Sequence, residues 1–181
     1  MYLSIFKRIV NLLQSPQQEW QAIEQEGNEQ NTVLSSFTLP LFGMIAGAVF
    51  VRQLWMPDFT LNNALKVSTM TFGTLLACVF ILFWMSEKLL GNKLPQVAKN
   101  EWFAMAVYTT GIYSLAELVA FAWPTLFLVR IAALASGYAA WHWTTTKSAE
   151  NTSLRMSIAI LTVVVLATTG TLFGHIATLI L

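Results

Sequence analysis

The chain has 181 residues, 56 % of them hydrophobic and only 10 % charged, with a formal net charge of +1 and a mean hydropathy of +0.60. An ordinary soluble domain carries about 25 % charged residues, so this composition cannot clothe a water-facing surface and calls for lipid as solvent. The near-neutral balance excludes a general electrostatic footprint for nucleic acid, and the single cysteine, Cys78, excludes an internal disulfide.

Residues 2–14 (YLSIFKRIVNLLQ) carry a helical period. Ser4, Lys7, Arg8, Asn11 and Gln14 share one narrow face, and Ile5, Phe6, Ile9, Leu12 and Leu13 the other. Lys7 and Arg8 follow the first apolar residues instead of preceding them, which is not the order of a cleavable signal. Two placements compete for this segment. It can lie in the membrane surface, with Phe6 toward the acyl chains and Lys7 and Arg8 at the headgroups, or it can pack under a helical bundle. Ser15-Pro16-Gln17-Gln18 then opens a second helix, with Ser15 as N-cap, Pro16 at the first position and Gln18 completing a capping box. Trp20 and Ile23 give it an apolar side, whereas Glu19, Glu24, Glu26 and Glu29 read as a solvated acidic face.

Five apolar stretches follow, at about 33–55, 66–86, 102–122, 125–143 and 157–181, each near the ~20 residues that a bilayer requires. Pro40 interrupts the first. Trp55, Trp84, Trp102, Trp123, Trp141 and Trp143 fall near span ends, the level where amphipathic rings prefer to sit. Lys7, Arg8, Lys88, Lys93, Lys99, Lys147 and Arg155 gather on one side of this arrangement. The positive-inside rule then predicts a cytoplasmic N-terminus and a C-terminus outside.

No HExxH, CxxC, GxSxG or Walker loop is present, and His142 and His175 fall near opposite membrane faces. The expectation is no catalytic residue, no metal site and no cofactor. Gly43/Gly47 and Gly170/Gly174 match the small-xxx-small pattern of close helix packing, within one molecule or at a dimer seam. Ala132, Ala133, Ser136, Gly137 and Ala140 make the fourth span small on one side, as suits a crowded central helix. Around the turn at Trp123-Pro124, Glu117 and Arg130 stand roughly 10 Å and 9 Å into the bilayer from one surface. Charges at such depth normally find a partner. They read as a structural clip between two antiparallel spans, as a site for a proton, anion or substrate, or as charges that snorkel separately to the outer surface.

The run Ser15-Pro16-x-x-Glu19-Trp20-x-x-Ile23-x-x-Glu26, followed by Leu39-Pro40-Leu41, Ala106-Val107-Tyr108, Trp123-Pro124 and Gly137-Tyr138, resembles the bacterial branch of the Yip1-domain membrane proteins. The resemblance covers nearly the whole chain and implies five spans with a cytoplasmic N-terminus. Two departures stand out: Gly111-Ile112-Tyr113 replaces an expected proline, and Trp141-His142-Trp143-Thr144 replaces the usual Gly-x-Pro closing span four. Eukaryotic relatives act in vesicle trafficking with Rab-type GTPases, a role that is not carried over to this chain.

The expected architecture is all-α: an integral membrane bundle of five transmembrane helices (32–181) preceded by two short amphipathic N-terminal helices (1–31). The expected protein is a multi-pass, non-enzymatic protein of a bacterial inner membrane, with a periplasmic C-terminus, acting by interaction or membrane organisation. Its expected partners are the lipid bilayer, another membrane or cytoplasmic protein, or a second copy, and not nucleic acid. The competing expectation is a small transporter or channel subunit that uses Glu117 and Arg130.

Overall fold

A computed structural model of the chain describes residues 2–27, 29–122, 126–147 and 151–180, and the surroundings of their side chains apart from 2, 117, 120–122, 126–130 and 172–180. Helix α1 (Tyr2–Gln14) breaks at Ser15, and Pro16 opens α2 (Pro16–Glu26) where its missing N–H costs nothing. Gly27 ends α2 with φ of +84°, a left-handed conformation that L side chains rarely adopt.

Helix α3 (Gln30–Gln53) runs straight through the residue that reads as its interruption. Pro40 cannot donate a backbone hydrogen bond and its ring crowds the carbonyl one turn earlier. The chain answers by widening into a π-turn over Leu34–Thr38, where the Leu39 N–H reaches back to the Leu34 carbonyl. Ser36 Oγ and Thr38 Oγ1 donate to the carbonyls of Thr32 and Val33, at 2.6 and 3.3 Å, and cover acceptors loosened by that turn.

Helix α4 (Leu61–Leu90) starts at Thr60, whose Oγ1 accepts the Asn63 N–H at 3.2 Å. A 3₁₀ turn at Gly91–Lys93 leads toward α5 (Lys99–Ala122), where the Glu101 carboxylate accepts the Ala98 N–H at 3.0 Å. Helices α6 (Leu126–Thr146) and α7 (Thr152–Ile180) complete the bundle. Among the described residues there are seven helices and no strand.

Three of these are long and apolar enough to cross a membrane among the described residues: Gln30–Gln53, Leu61–Lys93 and Thr152–Thr171. That is fewer than the five read from the sequence. Helices α5 and α6 have 24 and 21 residues, long enough for a span, and part of each lies outside the residues whose surroundings are described. Helix α5 is set apart by its burial. Every residue from Trp102 to Ser114 is buried, its hydroxyl residues included. Thr109 Oγ1 donates to the Met105 carbonyl at 2.7 Å and Ser114 Oγ to the Gly111 carbonyl at 2.9 Å, so the helix satisfies these two hydroxyls itself, whereas Thr110 Oγ1 is buried without a hydrogen-bond partner.

Enclosed on all sides, α5 is the central helix of the bundle, a place that the small residues of the fourth span suggested for α6. Those residues do face inward, since Ala132, Ala133, Ser136, Gly137 and Ala140 are buried, but Leu134 and Tyr138 on the same helix are exposed. Among the glycines whose surroundings are described, close packing against another helix falls at Gly111 and Gly137. A Cβ on Gly111 would stand 2.8 Å from the Phe37 ring of α3, and one on Gly137 would meet Val163 of α7 at 2.6 Å. Two tryptophans expected at the interface also point inward: Trp102 and Trp143 are buried with ring centroids 4.9 Å apart. Trp55 and Trp84 are exposed, as span-end residues should be.

Candidate functional site: the docked N-terminal collar

The charged side chains of the bundle concentrate where α1 and α2 cross one end of it. Ile5, Ile9 and Leu12 of α1 and Trp20 and Ile23 of α2 join the same hydrophobic core as α3, α5 and α6. Trp20 is the anchor. It is almost fully buried, its Nε1–H donates to the Ala139 carbonyl of α6 at 3.0 Å, and it meets Tyr108 of α5 edge-on at 5.8 Å. Phe37 closes the other side of Tyr108, with centroids 4.6 Å apart. One tryptophan from α2 thereby touches both helices at the bundle's centre.

Two cations lock this contact. Arg8 Nε lies 3.3 Å from Glu19 Oε1, its Nη2 donates to Glu26 Oε1 at 2.6 Å, and its Nη1 donates to Tyr108 Oη at 3.1 Å. Asn11 Nδ2 donates to the second Glu19 oxygen at 2.9 Å, fixing that carboxylate from α1. Burial works against the Arg8 charge, but the bonds to Glu26 and Tyr108 and the charge of Glu26 outweigh it, and the guanidinium stays protonated well above its ordinary range. The fork geometry of arginine lets one residue serve three acceptors.

Lys147, just past the end of α6, forms the second lock. Its side chain is 8 % exposed and its Nζ pairs with Glu101 Oε1 of α5 at 2.6 Å and with Glu24 of α2. Thr146 Oγ1 donates to the same Glu24 oxygen at 3.2 Å, and Gln96 Nε2 donates to the Lys147 carbonyl at 3.3 Å. Glu19 and Glu24, read from the sequence as part of a solvated acidic face, are clasped by cations from α1 and α6. The pairing crosses helices far apart in the chain, which periodicity within one helix cannot reveal.

Of the two placements that its sequence allowed, helix α1 shows packing under the bundle, along one ridge. One ridge (Ile5, Ile9, Leu12) packs under the bundle, whereas Leu3, Phe6, Val10 and Leu13 remain exposed beside exposed Lys7. Leu3 reaches 87 % exposure. Arg8, expected at headgroup level, turns inward to the clasp instead.

The remaining sequence candidates fall elsewhere. Gly43 and Gly47 lie on an exposed face of α3 with open space where a Cβ would stand, so they make no close approach within the molecule. Gly170 is half-buried on α7, and the surroundings of Gly174 lie outside the described residues. Glu117 belongs to α5 and Arg130 to α6, but their side chains also lie outside the described residues. His142 packs edge-on against Tyr138 at 4.5 Å. Trp20, Tyr108, Glu101 and Lys147, the centre of the collar, were not read as a site. The signal for Trp20 was its proximity to Ser15-Pro16 and Glu19 in one short run. Nothing local to Lys147 or Glu101 marks them.

Long apolar helices around a hydroxyl-lined central helix, closed at one end by an ionic collar, define a helical membrane protein. The Yip1 domain model matches residues 10–178, and the chain belongs to the Yip1-domain family. That match takes in the collar's anchor, both clasping cations' partners and all of the long helices. No curated protein and no solved structure matches the chain.

Proposed function

We propose that the protein is a five-span component of a bacterial inner membrane, with its N-terminus in the cytoplasm and its C-terminus in the periplasm, that acts by interaction and membrane organisation without enzymatic chemistry. The observation that carries this reading is the collar. An amphipathic helix is clamped to the charged end of the bundle while Leu3, Phe6, Val10 and Leu13 face outward beside Lys7. Such a strip, with a cation at its edge, suits the headgroup level of a bilayer. Helices α5 and α6 serve as the additional spans, a reading supported by Thr109, Ser114 and Ser136, which are turned inward and bonded to carbonyls of their own helices. The basic residues Lys88, Lys93, Lys99, Lys147 and Arg155 then share the cytoplasmic side with the collar.

The test reconstitutes the full chain in sealed vesicles of phosphatidylethanolamine and phosphatidylglycerol. Wild type should alter vesicle size or shape in proportion to protein density, and Phe6→Glu with Val10→Glu should remove the effect while the fold is retained. Unchanged vesicles at every density would overturn the reading. The second reading, a transporter or channel subunit, rests on Glu117 and Arg130 within the membrane. It requires a proton or anion flux across the same vesicles that Glu117→Gln abolishes.

A further inference from the structure

Helix α1 has three faces where docking on a bundle needs two. At about 100° per residue, the buried ridge of Ile5, Ile9 and Leu12 occupies a sector of about 60°. Exposed Leu3, Phe6, Val10 and Leu13 occupy a second sector of about 80°, and Ser4, Lys7, Arg8, Asn11 and Gln14 fill the third. A helix on the surface of a globular core carries one apolar stripe and one polar face, so the bundle leaves the second apolar sector of α1 unused. The centres of the three sectors stand roughly 110–130° apart. That division fits a helix at a line where three phases meet, with the bundle on one side, water on the second and hydrocarbon on the third.

The position of α1 agrees. It packs on α5, on α6 and on the Leu39–Gln53 part of α3. Leu39 stands about 13 Å along α3 from Gln30, and Tyr108, which Arg8 reaches, about 13 Å along α5 from Lys99. The helix therefore lies along the flank of the spans, at a level where Leu39 of α3 is exposed as well. Arg8 is tied to Glu19, Glu26 and Tyr108, so α1 is held in place and already helical. That removes the ordering cost that a free amphipathic segment meets on insertion. Its 13 residues make it about 20 Å long and about 10 Å across, which adds about 200 Å² at one end of the bundle. Among the described residues no short helix flanks the opposite end.

We infer that α1 is a fixed wedge in the leaflet at the collar end, with Leu3, Phe6, Val10 and Leu13 seated among acyl chains, and that the partner it selects is a bilayer bent convex toward the collar. The inference rests on the proposed placement of the collar end at a membrane surface and adds the bilayer shape which that surface favours. Shallow insertion on one side expands that leaflet against the other, and the cost is least where curvature has already spread the leaflet.

The full-length protein, carrying a dye on Asn92→Cys in the exposed turn at the collar end, is reconstituted at low density into giant vesicles of phosphatidylethanolamine and phosphatidylglycerol. Narrow tubes are pulled from the vesicles, and an impermeant quencher separates collar-outward from collar-inward molecules. Collar-outward molecules should be denser on the tube than on the parent vesicle, and collar-inward molecules sparser, because the outer leaflet of a tube is convex and the inner one concave. Leu3→Ser, Phe6→Ser, Val10→Ser and Leu13→Ser together should bring both populations to equal density. In the same vesicles without the dye, Val10→Cys should resist a charged maleimide, whereas Gln14→Cys of the polar sector should react on collar-outward molecules. Equal density of both orientations with the α1 strip intact overturns the inference, as does labelling of Val10→Cys at the rate of Gln14→Cys. Protection of Val10→Cys only at densities where copies associate would assign the strip to a second copy and would also overturn it. The comparison of the two orientations decides the matter even if the serine variant fails to fold. Vesicles left unreshaped at every density, with sorting into tubes intact, would remove the membrane-organising reading and keep the wedge.

Discussion

Lys147 stands between two carboxylates that come from different helices, so its removal leaves Glu24 and Glu101 facing each other without a cation. Breaking a buried pair costs about 3–5 kcal/mol, and the part-exposure of both carboxylates moves this case toward the lower end. Lys147→Met should therefore lower the thermal unfolding midpoint in detergent, and Glu24→Gln with Glu101→Gln should restore part of it. Restoration is absent if the lysine acts only through its contact with Trp143. At Gly137 the expectation has a different cause. The Ala159 carbonyl that a Cβ would meet at 3.2 Å is backbone and cannot move aside, so Gly137→Ala should cost about 1–3 kcal/mol by overpacking. Gly43→Ala meets open space and should leave the monomer's stability unharmed. Should it instead shift the oligomeric state in light scattering, Gly43 and Gly47 form a seam between copies. The contrast shows what the sequence could convey. A Gly-xxx-Gly spacing is visible in a string of letters, but whether its face meets a helix or lipid is set by the rotation of α3, and the π-turn before Pro40 changes that rotation.

Among the elements, the N-terminal pair departs most from its own periodicity. Both helices, their boundary at Ser15-Pro16 and their apolar sides were legible in the sequence, because a proline's position and 3.6-residue spacing are local. The capping box expected at Ser15 does not form, since its side chain makes no cap hydrogen bond. The polar partners of both helices were not legible. Arg8 reaches Tyr108 across 100 residues and Trp20 reaches Ala139 across 119, and no feature of α1 or α2 specifies which later helix receives them. The same limit applies to α5, where Thr109 and Ser114 read as polar in the sequence but bond to their own turns in the fold. If Arg8 is the clasp for α2, Arg8→Ala should speed hydrogen exchange of the amides in Pro16–Glu26 while leaving the core of α4 protected. Arg8→Lys should resemble Arg8→Ala, since a single ammonium cannot span three acceptors held by a planar fork. Equal protection in wild type and Arg8→Ala would mean that Trp20 and the Lys147–Glu24 pair hold α2 without Arg8.

For the whole molecule, the proposed five spans would place the two chain ends on opposite sides of the membrane. A reporter at the C-terminus should then read as periplasmic and one between Lys88 and Lys99 as cytoplasmic; a cytoplasmic C-terminus would reduce the count to an even number. The Cys78 thiol is fully buried in α4, so a charged maleimide should not label it in intact membranes. Rapid labelling would reveal an aqueous path and favour the transport reading. The all-helical membrane class and the family were legible from composition and a few short motifs. The enclosed position of α5 and the collar were not, because both arise from contacts between distant segments.

The collar also fixes an order of events during synthesis. Its own residues, Arg8 to Glu26, leave the ribosome well before their partners: Tyr108 follows Arg8 by 100 residues and Ala139 follows Trp20 by 119. At roughly 5–20 residues per second, Trp20 waits on the order of ten seconds for the carbonyl it will bind. Through that interval the apolar ridges of α1 and α2 have no bundle to cover them, and the nascent segment must rest on the bilayer or on a chaperone. Closure of the collar thus reports that α5 and α6 are in place. Ribosome-stalled chains ending before Ala139 should remain open to protease within Pro16–Glu26, and chains long enough to expose Lys147 outside the ribosome should become protected there.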